Sequence, residues 1–228
     1  NVCEEIFVVK FNAAGDALWA RIFGAENHAV HVIGGIAADP SGNVYVCGSY
    51  GGTFISFGLG YEYSNLPDNR FFFCKLGPSG ATEWVRFLEN DSGEAIPLNL
   101  HGSADGRFTI TGIYNSTFKP GNGIEHPQEG SDNYFVAQYD NTGNVLWAHR
   151  FNSDVYLSVL DIAPVAGGVV YAVLDYAYLV KINGDTMFTT PSTYGAGLVR
   201  MDSVSVVSQI DVSYNNVQSF PLNTITTD

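Results

Sequence analysis

His28 and His31, with Glu26 beside them in "ENHAVHV", have the side-chain types that ligate a transition metal. They stand three residues apart in a strand or loop with no further His or Cys nearby, which leaves a tetrahedral donor set incomplete. His101, His126 and His149 are scattered and read as surface or interstrand residues. Glu62, Glu89, Asp91 and Glu94 could form an acid and base pair for glycan chemistry, although any acidic chain of this size offers as many. The sequence holds no G-x-S-x-G elbow, no Gly-rich phosphate loop and no H-E-x-x-H helix. No catalytic residue is therefore assigned, and the chain reads as a non-enzyme.

Two weaker patterns concern binding. The bends "DPSGN", "SADGR" and "DNTGN" place Asp, Asn and Ser beside Gly, as calcium loops do, but none continues into alternating carboxylates with a distal Glu. Asp or Asn followed by Gly is also ordinary hairpin chemistry, so no cofactor is expected and calcium has no support. The loop "GLGYEYSN" sets Tyr61 and Tyr63 next to Asn65, a composition that suits a contact surface and equally suits tyrosines covering a sheet edge.

What must position these residues is set by composition and by a repeat. Ten Lys and Arg against 23 Asp and Glu leave a formal charge of −13, which repels phosphate backbones and anionic membranes, so nucleic acid is excluded as a partner. The same acidity fits a secreted or cell-surface protein, and it equally fits a chain in which it does no more than keep a Tyr- and Phe-rich surface soluble. No apolar run reaches the length needed to insert in a membrane as a helix. With 14% aromatic residues, 14% charged residues and 25 Gly, the balance favours many short strands joined by tight turns. The opening "EEIFVVKFN" enters a strand almost at once, as expected of a mature form, a processed product or a segment of a longer protein.

Three stretches align: "FVVKFNAAGDALWARIF" from Phe7, "FFFCKLGPSGATEWVRFL" from Phe71 and "YFVAQYDNTGNVLWAHRF" from Tyr134. Trp19, Trp84 and Trp147 are 65 and 63 residues apart, and Gly15, Gly80 and Gly143 share that spacing. A degenerate fourth copy, "YLVKINGDTMFTT" from Tyr178, is expected to keep the strand and lose the Trp. Between them recur "GIAADPSGNVYVCG", "LHGSADGRFTITG" and "DIAPVAGGVVYAV", with Val44, Phe108 and Val169 in corresponding positions. Two hairpins per period make four short antiparallel strands, the unit of a β-propeller blade. The fold class is therefore all-β, a propeller-like array with repeats at roughly 1–30, 31–92, 93–155 and 156–192. Three matching tryptophans read as packing residues that lock each outer hairpin onto its blade or a neighbour.

The run "DPSGNVYVCGSY", followed by "FFFCKLGPSGATEWVRF", resembles the SBBP-type β-propeller repeats of bacterial surface and secreted proteins, and "FVAQYDNTGNVLWA" matches best. The resemblance covers roughly residues 5 to 190. It implies a seven-bladed propeller and carries no shared catalytic site.

About three and a half to four blades fit in this chain, so the segment 193–228 is expected either to close a small ring onto the opening strands or to exchange with another chain. The two long connections, from Ser49 and from Tyr114, are expected to be decorations, with the third shrinking to about "DY" near Asp175 and Tyr176. That alignment equates Cys47 with Ala172 and Cys74 with Val180, which places Cys47 and Cys74 across two strands. An oxidising compartment could then link them, and the competing reading is two small buried thiols; Cys3 is left over.

The functional expectation is an extracellular structural or interaction protein whose partners are other copies of itself, surface proteins or glycans, and which builds a surface fibre or layer. Its alternative is a glycan- or protein-binding module, and its remote alternative a polysaccharide hydrolase or lyase.

Overall fold

The computed structural model describes all residues except 1–4, 27–29, 53, 59, 65–69, 92 and 215–228. Half a blade comes first, the antiparallel hairpin of β1 (Glu5–Phe11) and β2 (Ala17–Glu26). The second blade begins with β3 (Val30–Ala38) and β4 (Val44–Tyr50), gives off a short hairpin of β5 (Phe54–Ser56) and β6 (Glu62–Ser64), and ends with β7 (Arg70–Leu76) and β8 (Thr82–Asn90). The third repeats that order: β9 (Ala95–Gly102), β10 (Phe108–Tyr114), a short hairpin of β11 (Phe118–Gly121) and β12 (Ile124–His126), then β13 (Asp132–Tyr139) and β14 (Val145–Ser153). The fourth consists of β15 (Tyr156–Pro164), β16 (Val170–Ile182), β17 (Asp185–Met201) and β18 (Val206–Tyr214).

The outer hairpins form where the sequence supplies both alternation and a turn. In β14 the side chains alternate between buried and less buried positions until Phe151, as a strand lying between two neighbours requires. The turn before it is held by Asp140, whose Oδ1 accepts the backbone N–H groups of Thr142 and Asn144. Gly143 then takes φ +84°, with a bulge between Gln138 and Tyr139. Gly80 (φ +79°) and Gly15 (φ +89°) do the same beside bulges after Lys75 and Lys10. A glycine is needed there because the closing residue of this turn lies in the left-handed region.

Successive blades pack face to face, and each of three apolar clusters lies between one pair. Ile6, Val8 and Phe23 of the first half-blade meet Phe72, Cys74, Leu76 and Val85 of the second blade. Phe71, Phe73 and Leu88 meet Phe135, Ala137 and Tyr139 of the third. Val136, Trp147 and Phe151 meet Val199 and Met201 of the fourth. The innermost strands approach closely: a Cβ at Gly34 would lie 2.4 Å from the Pro97 side chain, and one at Gly35 2.7 Å from the Leu100 nitrogen. Glycine is the residue that lets β3 lie against β9 at that distance.

Four expectations change. The two long connections are not mere decorations, because each folds as a hairpin that adds to the outer edge strand of the preceding blade. β5 pairs with β2 through Gly24 to Glu26, and β11 pairs with β8 through Glu89 and Asn90. The third connection does not shrink to "DY": after Tyr178 (φ +64°), residues 179–189 form an equivalent hairpin that reaches β14 through Phe151 and Asn152. "YLVKINGDTMFTT" is this strap and not a fourth Trp-type copy. The true fourth outer hairpin is the second half of β17 with β18, where Val170 opposes Met201 just as Val44 opposes Leu76. Residues 194–214 therefore complete their own blade, with β18 paired to β17 and not to β1; residues 215–228 lie outside the described part.

Candidate functional site: inter-blade latches and an open blade face

Each outer strand reaches across to the outer turn of the next blade. Trp19 donates its indole N–H to the Pro78 carbonyl at 2.9 Å, while Arg21 donates to the carbonyls of Gly80 (2.6 Å) and Ser79 (3.3 Å). Gly80 lies under the Trp19 ring, so close that an added Cβ would be 2.6 Å from it. One blade on, Trp84 donates to Asn141 O and Arg86 to Thr142 O, at 3.3 and 3.2 Å, and Gly143 lies against both side chains.

The third contact substitutes a histidine. His149 Nε2 lies 2.7 Å from the carbonyl of Asp202 in the last turn, so the Nε2–H donates, and the Asn183 amide donates to Nδ1 at 2.8 Å. Burial holds this imidazole below its ordinary pKa, which keeps the neutral tautomer that fits both partners. Trp147 is turned inward and donates to Gln138 of its own blade at 3.2 Å. A Trp-x-Arg or Trp-x-His outer strand holding the following turn is thus a repeated device.

The first half-blade receives no such contact. Ala13, Ala14 and Gly15 stand where Pro78, Ser79 and Gly80 stand one repeat later, and among the described residues nothing donates to their carbonyls. The sheet face behind that turn is apolar and open. Phe7 is 74% exposed, whereas its counterparts Phe72 and Phe135 are 0%. Phe11 is 59% exposed against 0% for Leu76, Tyr139 and Met201, and Ile22 is exposed on the same face.

The cysteine pair requires a correction. Cys47 opposes Phe73 and Cys74 opposes Val46, so the two are one register step apart and project from opposite faces of the sheet. Cys47 belongs to the cluster shared with the third blade and Cys74 to the cluster shared with the first. Both are free thiols, pushed upward in pKa by complete burial, and no disulfide joins them. The expectation failed on both sides: Cys74 was equated with Val180, which lies in the strap, when its counterpart is Val199, and Val44 with Val169, when the register assigns that place to Val170; one residue of slip moves a side chain to the other face. Cys3 lies outside the described residues.

The tyrosine loop is engaged internally. Tyr61 donates its hydroxyl to the Glu83 carbonyl, and Tyr63 packs edge-on against Phe57 and Phe87. Both hold the first strap down; Asn65 and His28 lie outside the described residues. Asp39 and Asp140 spend their carboxylates on their own turns. Burial alone would raise both pKa values, but bonds from Asn43 and Tyr45, and from Thr142 and Asn144, bring them below the usual range. Among the described residues no three His, Cys, Asp or Glu side chains gather to hold a metal, and no helix is long and apolar enough to cross a membrane. His126 is buried without a partner for Nε2, and His101 lies 3.7 Å from Asp161. Of the carboxylates, Asp91 pairs with Lys119 at 2.5 Å and Glu94 lines a cleft of about 240 Å³ with Tyr114, Asn115, Asp132 and Tyr134.

Residues 18–49, the stretch that runs from the first latch strand into the second blade, match the SBBP family, a beta-propeller repeat. The chain is also similar to an uncharacterized WD repeat-containing protein of Acanthamoeba polyphaga mimivirus, 29% identical over 165 residues. That match covers 63% of this chain and 11% of the relative, so the chain spans about a tenth of that protein. The fold is accordingly a β-propeller repeat array.

Proposed function

We propose that the chain is a non-enzymatic interaction module, working outside the cell, that assembles through its blade faces into a larger structure such as a surface fibre or layer. The observation that carries this reading is the open apolar face of β1 and β2, because the counterparts of Phe7 and Phe11 in the later blades, Phe72 and Phe135, Leu76, Tyr139 and Met201, are buried. A side chain such as Phe7 loses on the order of 1.5–3 kcal/mol by staying in water rather than being buried. The strong acidity and small number of cations support a surface or secreted setting. Sedimentation across a concentration series tests the reading: the mass rises with concentration, and Phe7→Glu with Ile22→Glu holds the chain as a monomer. A monomer at every concentration in the unaltered chain overturns it.

A second reading rests on the cleft at the strand ends of the third blade. Tyr114 and Tyr134 flank Glu94, Asn115 and Asp132 there, a mixture of aromatic faces and hydrogen-bonding groups that suits a glycan or a protein loop. Glycan-array binding that Glu94→Ala and Asn115→Ala abolish would favour it over assembly.

A further inference from the structure

We infer that the cleft of the third blade binds a protonated alkylamine, the group carried by a lysine side chain or by a free polyamine. The inference rests on the second reading above and names its ligand. Two rows of side chains build the cleft across three adjacent strands, on the face turned toward the fourth blade. Ile113 stands opposite Ile96 of β9 on one side and Tyr134 of β13 on the other. One row nearer the strand ends, Asn115 donates its backbone N–H to the Glu94 carbonyl, and Asp132 shares the face of Tyr134 two residues away. The result is a carboxylate, an amide and a carboxylate above two isoleucines and an aromatic ring, around about 240 Å³.

Each member of the polar row keeps an oxygen to offer. Among the described residues nothing donates to the Glu94 carboxylate, and Asp132 commits Oδ2 to the Leu157 N–H and keeps Oδ1. Asn115 Oδ1 accepts the Glu94 N–H, and a carbonyl oxygen has a second lone pair. No Lys, Arg or His is among the described residues that line the cleft, so two negative charges face it without a counter-charge and repel an anionic ligand. An ammonium directs three N–H donors apart, toward acceptors on three strands, whereas a guanidinium presents a flat fork suited to one carboxylate. Its methylene stem fits over Ile96 and Ile113, and the Tyr134 ring, tied through its hydroxyl to Ser158, gives the cation an aromatic face. A metal ion has too few ligands, since no three His, Cys, Asp or Glu side chains gather among the described residues. The volume is also below the roughly 300–1,000 Å³ of sites that enclose a whole drug-sized ligand, and so suits one side chain better than several sugar rings.

The fold does not require this arrangement. In the fourth blade Tyr156, Ala177 and Tyr194 take the places of Glu94, Asn115 and Asp132, and in the second blade Gly51 stands for Asn115. A blade forms without the two carboxylates, which leaves them available to a ligand.

The test titrates Nα-acetyl-lysine N-methylamide into the full chain while NMR follows the backbone amides of Asn115, Asp132 and Tyr134. Saturable shifts are expected, and the norleucine counterpart, which keeps the stem and lacks the ammonium, binds at least about tenfold more weakly. Glu94→Gln weakens the lysine derivative by about tenfold, and Ile113→Lys, which places an ammonium of its own in the cleft, abolishes the shifts. The dispersion of the remaining amide signals establishes that both variants are folded. Putrescine separates the two sources: tighter binding than the lysine derivative identifies a free polyamine, weaker binding a side chain of a partner protein, and either supports the ammonium site. If the norleucine derivative binds as well as lysine, or Glu94→Gln changes nothing, the ammonium inference fails. If maltotriose moves these signals and the amines do not, it fails while the cleft reading stands. If no probe moves them, both fail.

Discussion

The indole N–H of Trp19 donates to the carbonyl of Pro78, 59 residues further along the chain, and thereby ties the outer strand of one blade to the outer turn of the next. Trp84 and Asn141 repeat that relationship 57 residues apart. The contact is modest in energy and specific in direction, because each outer strand reaches the outer turn of the blade that follows it.

The three tryptophans are not equivalent in stability. Trp147 is buried, and its truncation removes the donor to the Gln138 Oε1, so Trp147→Ala is expected to cost about 3–5 kcal/mol. Trp19 is part-exposed, and Trp19→Ala is expected to cost about 1–2 kcal/mol. Urea unfolding of the two variants checks the order, and equal losses would contradict it.

Gly15 and Gly80 occupy the same turn position in different surroundings. Gly15→Ala meets only the cost of a left-handed conformation, about 1 kcal/mol. Gly80→Ala also drives a methyl into the Trp19 ring and is expected to lose about 2–3 kcal/mol. The difference between the two should shrink when Trp19 is replaced by Ala, which a double-mutant cycle measures.

Cys47 and Cys74 are expected to resist alkylation in the native chain under oxidising and reducing conditions alike. Their burial and raised pKa values remove the reactive thiolate. Peptide mapping after maleimide treatment reads this directly, and a peptide bearing a Cys47–Cys74 bridge would falsify the opposite-face geometry.

Stability should decline from about pH 6.5 toward about pH 4 in a way that depends on His126. Burial, with the nearby Arg150 charge and then His149, lowers its pKa from 6.5 to about 4. Below pH 6.5 the unfolded chain binds a proton that the folded chain refuses, so stability is lost as pH falls and the loss levels off near pH 4. The full effect is roughly 3 kcal/mol. In His126→Asn the slope over that window should be shallower, as chemical unfolding at a series of pH values will show.

The repeat was legible because its turn and strand residues are local. Asn12, Asp140 and Gly15, Gly80 and Gly143 announce hairpins through chemistry confined to five residues, and alternation identifies the strands. The fourth hairpin escaped because its turn, "DSVS", has no glycine and its strand no tryptophan, while the strap from Tyr178 carries both a strand pattern and a glycine. The cysteine geometry was lost to that same strap, which supplied Val180 in place of Val199 as the counterpart of Cys74, and to one residue of register at Val170. Glycan-type tyrosines could not be told from packing tyrosines, since the Tyr61 hydroxyl finds its partner only through the fold.

The sequence by itself determined the all-β class, the period, the turns of the first three outer hairpins and the tryptophans and glycines that recur with them. These follow from short-range backbone preference and from periodicity. The tertiary structure alone decided which blade each strap joins, which face each cysteine takes and which apolar face stays open. Those outcomes depend on register and on contacts between residues about 60 positions apart, where a shift of one residue reverses the face without altering the pattern.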